Sequence, residues 1–342
     1  MRAVRLVEPG KPLIEEDVEV PRVGPHDVEV LIEAAGICRS DVHYRAGTRQ
    51  VPGFPLTPGH EVAGTVSAIG SHVKRLELGD RVAIHYLISC GVCEPCLGGR
   101  EQFCEPGLMI GLDRDGGYAE AITVPERNAF SIPDAIPVEV AAIMMCSSAT
   151  SLHALRRGRM KPGDTVAVIG VGGLGISAIK IAFALGASEV FAVDTNSKKL
   201  KIARGLGATP VPFHKVRTIG ADVALELVGL PETMRGAVDA LGVRGRAVAV
   251  GLTHEPFPLH SFDDLVLREA EVIGAADHLA SDIEELIEMV GTGGIDLSDV
   301  VTATVPLDAA AINDALDRLE VFEGGLRTVI RPQEAVPAPT SH

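Results

Sequence analysis

The run Thr165-Val166-Ala167-Val168-Ile169 is apolar and rich in branched side chains, and it runs into Gly170, Gly172 and Gly175 before apolar residues take up a helical spacing from Ile176 to Leu185. A strand this apolar has no face for water, so it needs a parallel sheet with helices covering both sides. Gly170 is expected to make a tight turn. Gly172, with Gly173 and Leu174 beside it, would let the backbone approach a pyrophosphate, and Gly175 would let the helix pack close to the strand. Phosphates would then sit at that helix's N-terminus. A second strand, Glu189 to Val193, ends in Asp194, nineteen positions after Gly175. That is near the spacing of the carboxylate that hydrogen-bonds the adenosine ribose hydroxyls. Together these features predict a dinucleotide-binding βαβ unit.

Asp194 would repel a 2′-phosphate, and no arginine follows it immediately, so NAD is expected over NADP. Asn196, Lys198 and Lys199 leave some tolerance, and Lys199 is counted with the cofactor-binding candidates.

The chain on either side differs in rhythm. Up to about residue 130 it reads as short strands between Gly and Pro: Ala3 to Val7, Leu13 to Val20, Asp27 to Ala34, Glu61 to Ile69, Arg81 to Leu87 and Tyr118 to Val124. Pro137 to Arg157 has helical spacing. After Asp194, helices and apolar strands alternate as in a doubly wound parallel sheet. Near Val300 to Val305 and Arg327 to Arg331 the rhythm changes again, which suggests a return to the first domain. The expected division is therefore a β-rich, barrel-like domain of residues 1–147 and 280–342 and a nucleotide domain of residues 148–279. Pro332 to His342 are expected to be disordered. The net charge of -15 is spread along the chain and argues against nucleic acid or an anionic membrane as partner. No membrane-spanning stretch lacks a charge or turn signal and the N-terminus has no apolar signal core, so the expected location is cytoplasmic.

Six cysteines remain to be placed. Cys90, Cys93, Cys96 and Cys104 fall on one glycine-punctuated loop, a spacing that suits a closed tetrahedral zinc site serving structure. Cys38 and Cys146 lie far apart, with His60 between them in Gly59-His60-Glu61. Two thiolates and an imidazole form a three-ligand set with one position open, as a catalytic zinc requires.

With these motifs in this order, the sequence resembles the zinc-dependent medium-chain alcohol dehydrogenases. The likeness runs from Gly36-Ile37-Cys38-Arg39-Ser40-Asp41, with His43 behind it, through Gly59-His60-Glu61, the four-cysteine loop, Cys146, the glycine loop and Asp194 to Gly325-Leu326-Arg327. It implies a GroES-like catalytic domain joined to a Rossmann domain, with catalytic zinc on Cys38, His60 and Cys146 and a second, structural zinc on the four-cysteine loop. Asp41 would orient His60, and Glu61 would lie behind the metal. Arg39 and Arg327 would contact the pyrophosphate. Ser40 and His43 would carry away the proton of a small alcohol whose hydride passes to NAD, giving an aldehyde or ketone. Tyr86 and Met109 would line the pocket. Ser147 and Ser148 depart from the commoner Ala-Gly. The short segment between Cys104 and Cys146 resembles the tetrameric microbial members, so a homotetramer is expected. The alternatives are a polyol dehydrogenase or enone/quinone reductase of the same superfamily, or a non-enzymatic NAD-binding relative.

Overall fold

The computed structural model describes residues 1–321 and 323–332. The expectation of disorder for the C-terminal tail lies, beyond Pro332, outside the described residues. The chain forms two compact units, one of Met1–Cys146, Leu279–Gly291 and the chain from Ser298, the other of Ser147–His278 and Thr292–Leu297. Residues 292–297, expected in the first domain, thus group with the second. Their anchorage explains it: Lys180 Nζ donates to the Asp296 carbonyl at 2.7 Å, and Leu297 is fully buried.

The first unit is organised around the strand Asp27–Ile37. Val28, Val30 and Ile32 point inward and alternate with half-buried or exposed Glu29, Leu31 and Glu33, as expected of a strand with one solvated face. From Ala34 to Ile37 every residue is buried. The strand therefore dives into the interior and delivers Cys38 there. Glu61–Ile69 pairs antiparallel along its length, Ala121–Pro125 pairs with its first half, and Arg327–Arg331 with its end. Val301–Pro306, Arg81–Ile84 and Ala129–Ser131 complete a seven-stranded sheet.

In the second unit six parallel strands stand in the order Thr209–Pro210, Glu189–Val193, Thr165–Ile169, Ala221–Glu226, Leu241–Ala249, Glu271–Gly274. Numbered along the chain this is 3-2-1-4-5-6, the doubly wound dinucleotide-binding order, with the reversal between Thr165–Ile169 and Ala221–Glu226.

Two helical features were not foreseen. Arg39–Ala46 is a helix, N-capped by Cys38 itself. The helix expected over Pro137–Arg157 is interrupted by a π-turn at Met144–Ser148, centred on Cys146. Val138–Arg157 is long and apolar enough to cross a membrane, yet 89% of its apolar window is buried inside the protein, as in a core helix.

Candidate metal and dinucleotide sites

Strand register assembles the buried cluster. Gly36 lies opposite Glu61 on one side and opposite Val329 on the other, so Cys38, His60 with Glu61, and Arg327 arrive at neighbouring strand ends. A Cβ on Gly36 would lie 2.0 Å from Glu61 Oε2, which explains the glycine. Cys146 completes the group from its π-turn, an irregularity common where a helix must aim a functional side chain. The ligand atoms of Cys38, His60, Glu61 and Cys146 lie within 4.8 Å of one another, and all four residues are buried.

The surroundings suit a divalent cation. Asp41 Oδ2 accepts from the Cys38 backbone N–H and the Tyr118 hydroxyl, each at 2.9 Å. Its Oδ1 faces His60 Nδ1 at 3.7 Å, and among the described residues neither atom has another partner. Nε2 is thereby left as the nitrogen for the thiols. The Cys146 thiol, against the pull of burial, holds the Cys38 pKa well below the thiol range. Burial disfavours a charged His60, but hydrogen bonds to Asp41 and Cys38 outweigh it and raise its pKa. Burial pushes Glu61 up to about 7 against the opposing Arg327 guanidinium. Anionic sulfur, an oriented imidazole and buried polar atoms at loose distance form a donor set that fits zinc.

Arg327, expected at the pyrophosphate, has a partner inside the first unit. Its side chain is 5% exposed and its guanidinium pairs with Glu61, so within this unit it is the counter-charge to the carboxylate behind the cluster. Arg39 is half-buried and donates to the Leu319 carbonyl at 3.1 Å.

The four-cysteine loop is local. The short strands Leu87–Ile88 and Leu108–Met109 pair at its base. Cys93 Sγ lies 3.4 Å from Cys96 Sγ and 3.8 Å from Cys104 Sγ, and Cys90 Sγ lies 3.9 Å from Cys96 Sγ. Four sulfurs at ~2.3 Å from a tetrahedral zinc would stand about 3.8 Å apart, so these residues also fit the metal. Backbone N–H groups of Val92 and Cys93 point at Cys90 Sγ and lower its pKa to about 6.

At the reversal of strand order, Gly170 has φ 96°, and a Cβ on Gly175 would lie 2.0 Å from the Gly170 carbonyl oxygen. A Cβ on Gly172 would meet nothing within 4 Å, leaving open space where a phosphate is expected. Gly173 and Leu174 open the helix Gly173–Ala184. Asp194 reaches back to the loop: Oδ2 accepts from Val171 N at 2.8 Å and Oδ1 from Asn196 N at 2.7 Å. Asn196 caps the next helix by accepting from the backbone N–H groups of Lys198 and Lys199.

Ser40 Oγ lies 3.9 Å from Cys38 Sγ, and His43 follows three residues later on the same helix, its Nδ1 3.1 Å from Thr48 Oγ1. The Tyr86 ring meets His60 edge-on at 5.0 Å, and the Tyr44 hydroxyl points at Met109 Sδ at 3.8 Å. Tyr118 is the site residue that sequence reasoning missed. Only its glycine-flanked place at the start of the expected strand Tyr118 to Val124 marked it, whereas the strand begins at Ala121, and its contact with Asp41 spans 77 positions.

Residues 24–134 match the alcohol dehydrogenase GroES-like domain and residues 173–292 the zinc-binding dehydrogenase family. An NAD-dependent alcohol dehydrogenase of Sulfurisphaera tokodaii is 34% identical over 97% of this chain and 100% of its own. An NADP-dependent alcohol dehydrogenase C of Mycobacterium bovis is also 34% identical, over 94% of this chain and 95% of its own. The structure of the alcohol dehydrogenase of Aeropyrum pernix superposes with a TM-score of 0.88 at 32% identity, covering 97% of this chain and 100% of that one. Sharing sequence and fold with these enzymes over nearly its whole length, the chain belongs to the zinc-dependent alcohol dehydrogenase family of medium-chain dehydrogenases.

Proposed function

We propose that the protein is a zinc- and NAD-dependent dehydrogenase that interconverts a small alcohol and its aldehyde or ketone. The observation that carries this reading is the buried Cys38, His60 and Cys146 set with Asp41 facing the imidazole. A zinc ion held there supplies a Lewis acid that lowers the pKa of an alcohol oxygen, and NAD supplies the hydride acceptor. The chain's own residues do the rest. Asp41 holds the His60 ring in orientation, and Tyr118 holds Asp41. Ser40, one turn from His43 on the same helix, is placed to take the alcohol proton and pass it toward the exposed end. Tyr86 and Met109 give the pocket an apolar lining that favours apolar or aromatic alcohols.

The two thiolate sets support a reading of two zinc ions per chain. NAD is preferred because the Asp194 carboxylate, tied by two backbone N–H groups, cannot turn away from a 2′-phosphate. The exposed Phe262, Val266 and Leu267, close in sequence to the edge strand Glu271–Gly274, support assembly with further copies, in our reading a tetramer. Six unpaired cysteines in the described residues support a reducing, cytoplasmic setting.

The test is metal analysis of freshly purified protein, then absorbance at 340 nm with primary, secondary, aromatic and polyhydric alcohols, each with NAD and NADP. Two zinc ions and turnover of simple alcohols with a higher kcat/KM for NAD are expected. Turnover confined to polyols, or no turnover with any alcohol, would overturn the reading.

A further inference from the structure

An open α/β sheet takes its ligand in the crevice outside the carboxyl ends of the strands, where their order reverses. In the second unit one side of that point is the glycine loop, and the other begins at Glu226, the last residue of Ala221–Glu226. Glu226 is fully buried. Its carbonyl accepts from Val250 N at 3.0 Å and Gly251 N at 3.1 Å, which ties the exit of the next strand to its own. Its side-chain Oε1 accepts from Val228 N and Gly229 N, both at 2.9 Å, and from Thr233 Oγ1 at 2.7 Å. Oε2 is buried with no hydrogen-bond partner among the described residues.

Three donors converging on one oxygen fix the turn 227–230, and this turn bears on the glycine loop. Leu227 N donates to the Ile169 carbonyl at 3.0 Å, and Val228 Cγ2 lies 2.6 Å from where a Cβ on Gly170 would be. An unpartnered buried carboxylate oxygen is costly, and a hydroxyl or amide could cap an ordinary turn without it. We propose that Glu226 is a positioning residue for the dinucleotide: by clamping the turn 227–230 through Oε1 it presses Val228 against the Gly170 turn and sets the width of the phosphate-binding loop. This rests on the cofactor reading above.

The test is titration of the zinc-loaded protein with NADH, followed by its fluorescence, beside the KM for NAD and kcat with a turned-over alcohol. Losing three hydrogen bonds to one acceptor oxygen predicts that Glu226→Ala weakens NADH binding and raises the KM roughly tenfold, with kcat at saturation within about threefold. Glu226→Gln keeps an acceptor at Oε1 and should bind NADH within about threefold of the wild type. Thr233→Val removes one donor and should fall between them, and it decides the matter if the alanine variant does not fold. Wild-type NADH affinity in Thr233→Val and in any folded Glu226→Ala, with only the melting temperature lowered, would overturn the proposal. A wild-type protein that binds neither NADH nor NADPH would instead sink the cofactor reading beneath it.

Discussion

The two thiolate clusters of the first unit use the same chemistry and are built in opposite ways. The four-cysteine loop closes over fifteen residues, and its sulfurs are held by backbone N–H groups of the loop itself. The set of Cys38, His60 and Cys146 spans 108 positions and depends on a strand register, a π-turn and a buried frame of Asp41, Tyr118, Glu61 and Arg327. A local site gains order from its metal. A long-range site inherits order from the fold and can leave one position for chemistry.

Removing one sulfur from each cluster should separate the two most widely. Cys38→Ala should lose turnover altogether and one zinc ion, with little change in melting temperature. Cys96→Ala should lose the other zinc ion and a large part of the folding stability, because the binding energy of a structural zinc is folding energy. Metal analysis, calorimetry and rate assays on both variants check this, and an unstable Cys38→Ala beside a stable Cys96→Ala would invert the comparison.

The next effect is confined to the buried cluster. Ser40→Ala should slow hydride transfer by ~10²–10⁴-fold, the range of a general acid-base group. His43→Gln should cost less and be partly restored by added imidazole, because water reaches the outer end. A wild-type kcat in Ser40→Ala, with a full deuterium isotope effect on the alcohol, would send the proton by another route. Asp41→Asn sharpens the contrast further. It leaves every metal ligand in place but disturbs the His60 ring, and ~10–100-fold losses in zinc affinity or activity are typical of such partners. Competition with a chromogenic chelator reads that affinity directly, and an unchanged value would show that the frame does not act on the metal.

The smallest expected effect sits between the clusters in sequence. Burial pushes His85 down to about 4, against a weaker opposing pull from Asp282. The unfolded chain, with a histidine pKa near ~6.5, binds a proton that the folded protein refuses. The contribution is therefore complete above pH ~6.5 and is lost as the pH falls from there toward 4, amounting to about 2 kcal/mol between pH 7 and 5. Denaturant unfolding of the wild type and His85→Gln at both pH values isolates it from acid loss of zinc. Parallel slopes would assign the acid sensitivity to the metal sites instead.

How much of this was legible depended on sequence distance. The βαβ unit, its glycines and Asp194 could be read because each partner lies within one strand or helix of the next. The four-cysteine loop could be read because its ligands share one turn-rich segment. Cys38, His60 and Cys146 could be grouped only by ligand chemistry and by resemblance, since nothing in their spacing brings them together. Tyr118 and Glu226 passed unmarked. One is an aromatic just before a strand and the other an acid at a strand end, and both look ordinary until their partners are seen.

The amino-acid order alone determined the periodicities, turns and local ligand loops, because these follow from backbone geometry over a few residues. Only the tertiary structure decided that Arg327 faces Glu61, that Gly36 must lack a side chain and that Asp41 is shared by Tyr118, Cys38 and His60. Each of these depends on which strand ends the sheet register brings together, and a buried charge takes as its partner whatever the fold has left beside it.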